Sequence, residues 1–299
     1  MIGRRSNKLL NAAIGSIAVG ALRAARLTNR RRAANFAGAV MRNIGSLLPE
    51  HRVGRDSLRI AFPEKSTAEI KRILAGSWDN LGRVAAEFVH LDEMHVGEPS
   101  DDPNTVVLES EMLERCRGLI AGRATLNFAC HSANWELSGV VAKQLGAKSA
   151  VLYRRPNIAA VSDAVIKMRA DVMGMMVPAG LDAPVRLARL LQEGVHVGML
   201  VDQHYTKGVD VIFFGRRCKA NPLIAMLARQ LECPIFGLRI IRLSDRNRFR
   251  GDITGPIEPP RDSEGRIDVV RTMQTITTII EGWVREYPEQ WLWLHRRWR

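Results

Sequence analysis

The chain has 299 residues, 46% of them apolar, and a formal charge of +13 from 44 Lys and Arg against 31 Asp and Glu. This is enough for one large α/β domain or two small ones with a substantial core. Its four widely spaced cysteines (Cys116, Cys130, Cys218 and Cys233) form no CxxC pair and no Cys/His cluster at ligand spacing, which argues against a disulfide framework and a metal centre.

The first 49 residues hold nine basic side chains (Arg4, Arg5, Lys8, Arg23, Arg26, Arg30, Arg31, Arg32 and Arg42) and no acid, so most of the net charge sits in one arm. Such an arm suits an anionic surface. It flanks an apolar stretch over 9–22. Nucleic-acid arms seldom carry one, so a membrane surface is expected as partner and nucleic acid is not. Fourteen residues fall short of the roughly 20 that cross a bilayer, so an interfacial helix or shallow anchor is predicted. A cleaved signal peptide is the rival, opposed by the basic residues that continue after the apolar core. The basic flanks place the arm on the cytoplasmic side. Residues 1–49 are thus read as a membrane-anchoring segment and 50–299 as a single α/β domain.

A helix is predicted over 53–61. Ser66 and Glu69 have capping-box spacing, and the helix they start runs to Phe88. Ile70, Ile73, Leu74, Trp78, Leu81, Val84 and Ala85 form its apolar stripe, with Trp78 read as core. A loop over 97–104 leads to a short strand over 105–108. From Gly122 strands alternate with helices. Strands are predicted over 124–130, 149–153, 175–177, 195–201, 209–214 and 234–243, and helices over 134–145, 158–173, 183–193, 221–231 and 269–286. A strand over 248–253 pairs with 234–243 through the turn-like Ser244-Asp245-Arg246-Asn247. This order predicts an α/β fold with a mostly parallel sheet flanked by helices.

The 124–130 strand delivers His131-Ser132-Ala133-Asn134-Trp135-Glu136 to a strand-to-helix junction, where open α/β sheets place their chemistry. His131 is a candidate general base, and Glu136 a carboxylate to fix its tautomer. An ordinary helix start, capped by Ser132 or Asn134 with Glu136 favouring the dipole, explains the same residues. Cys130 adjoins His131, but strand neighbours point to opposite faces, so it is read as core. Two other strand ends deliver Arg154 and Arg155, and Asp202 and Gln203, to the same edge.

These segments resemble the bacterial lipid A biosynthesis acyltransferases. His131 to Glu136 is similar to the H-x4-D/E signature of glycerolipid-type acyltransferases, in the variant with Asn134-Trp135-Glu136. Tyr153-Arg154-Arg155-Pro156-Asn157 resembles a Y-R-P-N segment with one extra Arg. Asp202-Gln203-His204-Tyr205 resembles D-x-x-Y, followed by the Val211 to Gly215 strand. Tyr287 to Arg297 is very close to a P-E-Q-x-x-W-L-H-R-R ending. Ser57 to Pro63 resembles N-L-x-x-A-F-P, with Ser57 where Asn is usual. Together they cover the chain from about residue 50 to its end.

The resemblance implies a glycerolipid-acyltransferase-like fold and transfer of a fatty acyl chain from acyl carrier protein to a lipid A precursor hydroxyl, on the cytoplasmic face of the inner membrane. It implies no cofactor. In that reading His131 is the base and Glu136 its orienter. Arg155, or backbone N–H groups near Ser132 to Asn134, meets the oxyanion, and Asp202 supports the site by holding an arginine. Asn134, Arg154, Gln203, Arg216, Arg217, His295, Arg296 and Arg297 are candidate substrate contacts, with Lys219 and Arg299 beside them, because both substrates are anionic. Trp293 is expected in the core and Trp298 at the lipid surface. A different glycolipid acceptor, of the phosphatidylinositol mannoside type, remains open, as does a non-catalytic lipid-binding role.

Overall fold

The computed structural model describes residues 20, 24, 26–154, 166 and 168–298. Ten strands occur among them: β1 (His95–Gly97), β2 (Thr105–Val107), β3 (Leu126–Ala129), β4 (Ser149–Tyr153), β5 (Met175–Pro178), β6 (His196–Leu200), β7 (Val209–Phe213), β8 (Arg216–Ala220), β9 (Ile235–Arg242) and β10 (Phe249–Ile257). Besides helical residues at 166 and 168–172, the α-helices with described bounds are α1 (Arg30–Ile44), α2 (Glu50–Ala61), α3 (Thr67–Glu87), α4 (Ser110–Ala121), α5 (Leu137–Gln144), α6 (Ala183–Gln192), α7 (Leu223–Leu231) and α8 (Val269–Glu286).

Eight strands form one sheet in the order β1-β2-β10-β9-β3-β6-β4-β5. Every neighbouring pair is parallel except β9 and β10, the expected hairpin. The sheet is therefore mostly parallel, as the alternating pattern predicted. Its central strands carry near-continuous apolar runs because helices cover both faces. Leu126, Phe128, Val197 and Ile235 are fully buried.

β7 and β8 form a separate two-stranded sheet against α8. The 209–214 prediction captured β7 but not its partner. The connecting turn puts Phe214 and Gly215 at φ 51° and 69°, the two-residue hairpin geometry whose twist matches its strands. Phe214 is held there by an N–H bond to Glu281 Oε2 at 2.6 Å and by the Arg285 guanidinium over its ring.

The capping box forms as expected: Ser66 Oγ accepts from the Glu69 N–H, and Glu69 Oε2 accepts from the Ser66 N–H at 2.9 Å. The rest of α3 departs from a simple amphipathic helix. Besides the apolar stripe it buries Asp79 and Arg83 against α1, and Asn80 and Glu87 against β9 and the turn after β3. The α1 and α3 backbones approach so closely that a Cβ on Gly82 would meet the Ala37 carbonyl oxygen at 2.3 Å.

This packing corrects part of the reading of the basic arm. Arg30 is 1% exposed and donates to Asn104 Oδ1 and the Asn247 carbonyl. Arg42 pairs with Asp79, and Arg26 with Asp92 and Glu93. These three charges are tied to the domain, whereas Arg31 and Arg32 are exposed. Residues 9–22, apart from Gly20, lie outside the described residues. Among the described residues no helix is long and apolar enough to cross a membrane.

Candidate active site

Parallel pairing of β3 with β6 sets the site. The register matches Ala129 with Leu200, so His131 and Asp202, each two residues further on, emerge side by side at the carboxyl edge. His131 Nδ1 lies 2.8 Å from Asp202 Oδ1, and the His131 backbone N–H donates to Asp202 Oδ2 at 2.9 Å. The Trp291 indole N–H adds a third bond to Oδ2 at 2.8 Å. Burial alone would raise the Asp202 carboxyl. The charge and hydrogen bond of His131, with His295 nearby, outweigh it and hold the group well below the usual carboxylate range. An ionised Asp202 fixes the proton on Nδ1 of neutral His131 and leaves Nε2 as an acceptor. Nε2 faces Gln203 Nε2 at 3.4 Å.

The orienter of His131 is therefore Asp202, not Glu136, and Asp202 holds an imidazole and an indole rather than an arginine. Glu136 is bound in a fork by Arg169, whose Nε donates to Oε2 at 2.8 Å and whose Nη2 reaches Oε1. The Trp135 indole also donates to Oε1. The reason is backbone geometry. Ala133 has φ 48°, Ser132 bridges to Trp291, and α5 starts only at Leu137. A tight turn, not a helix running from 134, separates the two residues. That turn also uses backbone donors that had been candidates for the oxyanion: Ser132 N–H bonds the Cys130 carbonyl and Ala133 N–H the Gln290 carbonyl. Cys130 is buried, and that burial, with the Asp202 charge adding, pushes its thiol well up, away from a nucleophilic role.

A cavity of about 1020 Å³ opens beside His131 Nε2. It runs between the sheet and the pair α4 and α5, lined by apolar groups such as Leu108, Val141 and Leu145. Ala129, Val151, Gly198 and Leu200 lie in central strands yet remain part-accessible, because the cavity rather than a helix faces them. His131, Trp135, Glu136, Arg154, Arg169 and Gln203 line it as well. The arrangement is a base with an oriented, accessible nitrogen at the end of a large, mainly apolar chamber.

The other expected contacts are dispersed. Asn134 is 1% exposed; its amide donates to Glu87 Oε2 and its Oδ1 accepts from the Glu136 N–H, so it shapes the turn instead of meeting substrate. Arg297 is 2% exposed, lies over the Phe213 ring and donates to the Lys219 carbonyl, so it too is structural. His295 packs on Trp291 behind Asp202, bonded to the Leu292 carbonyl, and burial pushes its imidazole down. Arg216 and Arg217 are exposed on β8, and Arg296 is exposed near the chain end. None of these six lines the cavity. Arg155 and Arg299 lie outside the described residues. Trp293 is buried as expected, whereas Trp298 stacks on Phe213 and donates to its carbonyl, turned into the protein.

Beneath the turn lies a network that the sequence did not reveal. Arg242 donates through both Nη groups to Glu87, which also receives Asn134 and faces Arg30. Asn80 donates to the Ala133 carbonyl and accepts from Arg242 Nε, while the Gln290 side chain pairs with the Arg242 backbone. These polar residues of α3 are interior because β9, the turn after β3 and α1 close over them from different sides.

Among the described residues no group of three or more His, Cys, Asp or Glu side chains is placed to hold a metal ion. Comparison with curated proteins found no match. The family profile described as bacterial lipid A biosynthesis acyltransferase matches residues 2–299, so both the His131 turn and the Trp291 segment that braces it fall inside the match. The chain belongs to the bacterial lipid A biosynthesis acyltransferase family.

Proposed function

We propose that the protein transfers a fatty acyl chain from the thioester of acyl carrier protein to a hydroxyl of a lipid A precursor, with His131 as general base. The observation that carries this reading is the His131–Asp202 pair, with Nε2 turned toward a mainly apolar cavity. A hydroxyl is a poor nucleophile until a base takes its proton during attack. In the proposed step Nε2 removes that proton as the oxygen adds to the thioester carbonyl. Asp202 supports the imidazolium that forms. The tetrahedral oxyanion collapses, the carbon–sulfur bond breaks, and Nε2 returns the proton to the leaving thiolate. The products are an ester and the free carrier thiol. Arg155, which follows cavity-lining Arg154, is the candidate oxyanion donor. The Glu136–Arg169 fork is proposed to fix the shape of the cavity mouth, and the cavity to hold the acyl chain.

The site of action is proposed to be the cytoplasmic face of the inner membrane, reached through the basic, apolar N-terminal segment. Incubating the protein with acyl-loaded carrier protein and an under-acylated lipid A precursor should add the mass of one acyl chain, and His131→Ala should abolish the gain. Absence of any mass gain with every donor overturns the proposal. Removing residues 1–19, which leaves Arg26 and Arg30 in place, should release the protein from vesicles containing anionic lipid.

A further inference from the structure

We infer that Gly198 sets the length of acyl chain the cavity accepts, together with the polar wall beside it; this rests on the acyl-transfer reading above. Gly198 lies in β6 with β3 and β4 hydrogen-bonded on either side, so its backbone is fixed by two ladders. A Cβ built there meets only the Ala150 carbonyl oxygen within 4 Å, at 3.9 Å. In a central strand that space would ordinarily hold a packed side chain. Here it is part of the cavity, which Gly198 lines.

The position along the strand gives it a role. Gly198 is paired with Asn127, four residues before His131. At the rise of a strand this places it about 13 Å from the base, deep in the chamber. The wall turns polar at the same level. Asn127 donates to Thr125 Oγ1 at 2.9 Å, and His196 Nδ1 lies 3.0 Å from the same oxygen. The His196 ring is also bonded to the backbone of Ile120, and burial pushes its imidazole down, so this end is polar but uncharged. Asn127, His196 and Ile120 all line the cavity. A hydrocarbon chain gains by extending along the apolar part, and gains nothing by pressing a methyl against fixed polar groups. The open position at 198 adjoins that polar wall, and Ile120 lines the cavity there from α4.

Two substitutions of opposite sign test this. Gly198→Leu should shorten the preferred donor by about two carbons or more, and cut transfer of the longest wild-type donor by roughly tenfold or more, at about fourfold per excluded methylene. Ile120→Ala should move the preference toward longer chains. Gly198→Ala, which adds one carbon into open space, should give a smaller shift in the direction of Gly198→Leu. Carrier protein loaded with saturated chains of graded length, in competition for one lipid A precursor, reads the optimum by product mass; thermal unfolding checks that each variant folds. Folded variants with the wild-type optimum overturn the inference while leaving the acyl-transfer reading intact. If Gly198→Leu does not fold, Gly198→Ala and Ile120→Ala decide by the same criterion. A wild type that transfers no donor overturns the acyl-transfer reading, and this inference with it.

Discussion

Asp202 and Glu87 are both buried acids, 2% and 1% exposed, and both hold the turn from His131 to Glu136, yet their surroundings differ in kind. Glu87 sits among Arg242, Arg30 and Asn134, and its oxygens are met by guanidinium and amide donors. Arginine does not give up a proton at any working pH, so such a cluster can fix a backbone but cannot move a proton. Asp202 is instead paired with an imidazole whose second nitrogen points into a cavity. One site is closed on all sides; the other is closed on all sides but one. The contrast teaches that the burial of a carboxylate does not itself mark chemistry. What marks it is a titratable partner whose second nitrogen stays accessible beside space for a ligand.

The largest expected effect tests the open side of this contrast. His131→Ala should lower acyl transfer by roughly 10²- to 10⁴-fold, and, because it strips buried Asp202 of its imidazole partner, should lower the unfolding temperature as well. A near-normal rate would mean that the base lies elsewhere. Glu136→Gln, which loosens the fork with Arg169, should cost about 100-fold through misplacement of the cavity mouth. If it leaves the rate unchanged, that fork is merely a surface clamp.

The closed side should answer in stability. Glu87→Gln or Arg242→Met leaves a buried charge without its partner and should cost about 3–5 kcal/mol in urea unfolding. At roughly 2–4 °C per kcal/mol, a drop of about 10 °C in the melting temperature is expected. A variant as stable as the wild type would show that the network does not hold the turn. A pH dependence is expected from Asp202. Asp202 titrates below its unfolded value of about 3.9, so its stabilisation is complete above that pH and is lost as the pH falls through the depressed folded value. Melting curves of Asp202→Asn should therefore decline less steeply than those of the wild type below about pH 4. The smallest effect lies far from both acids. Ser66→Ala removes one half of the α3 capping box and should cost about 1 kcal/mol, with transfer unchanged.

Much of this architecture was legible because it is local. The β9–β10 hairpin follows from a turn-forming tetrapeptide between two apolar runs, and the start of α3 from a serine and a glutamate three residues apart. The mostly parallel sheet follows from strands alternating with helices. What escaped was whatever depended on a distant partner. α1 was read only as charge, because nothing local tells a buried Arg30 from an exposed Arg31. β8 escaped because Arg216 and Arg217 mask its pairing with β7. α4 has only Cys116 fully buried, so its apolar period is weak.

The candidate site divides the same way. The sequence by itself determined the residue types, the carboxyl edge that receives His131, Arg154 and Asp202, and the family, because strand ends and motifs are written in consecutive residues. Tertiary structure decided which acid serves the histidine. Glu136 is five residues from His131 and Asp202 is 71 residues away, yet strand pairing makes the distant one its partner, while the left-handed turn at Ala133 gives the near one to Arg169. Tertiary structure also decided that Asn134 and Arg297 are interior, and that an empty position at Gly198 faces a chamber. Proximity along a chain sets what a segment can form; register between strands sets which side chains meet, and no local pattern carries that register.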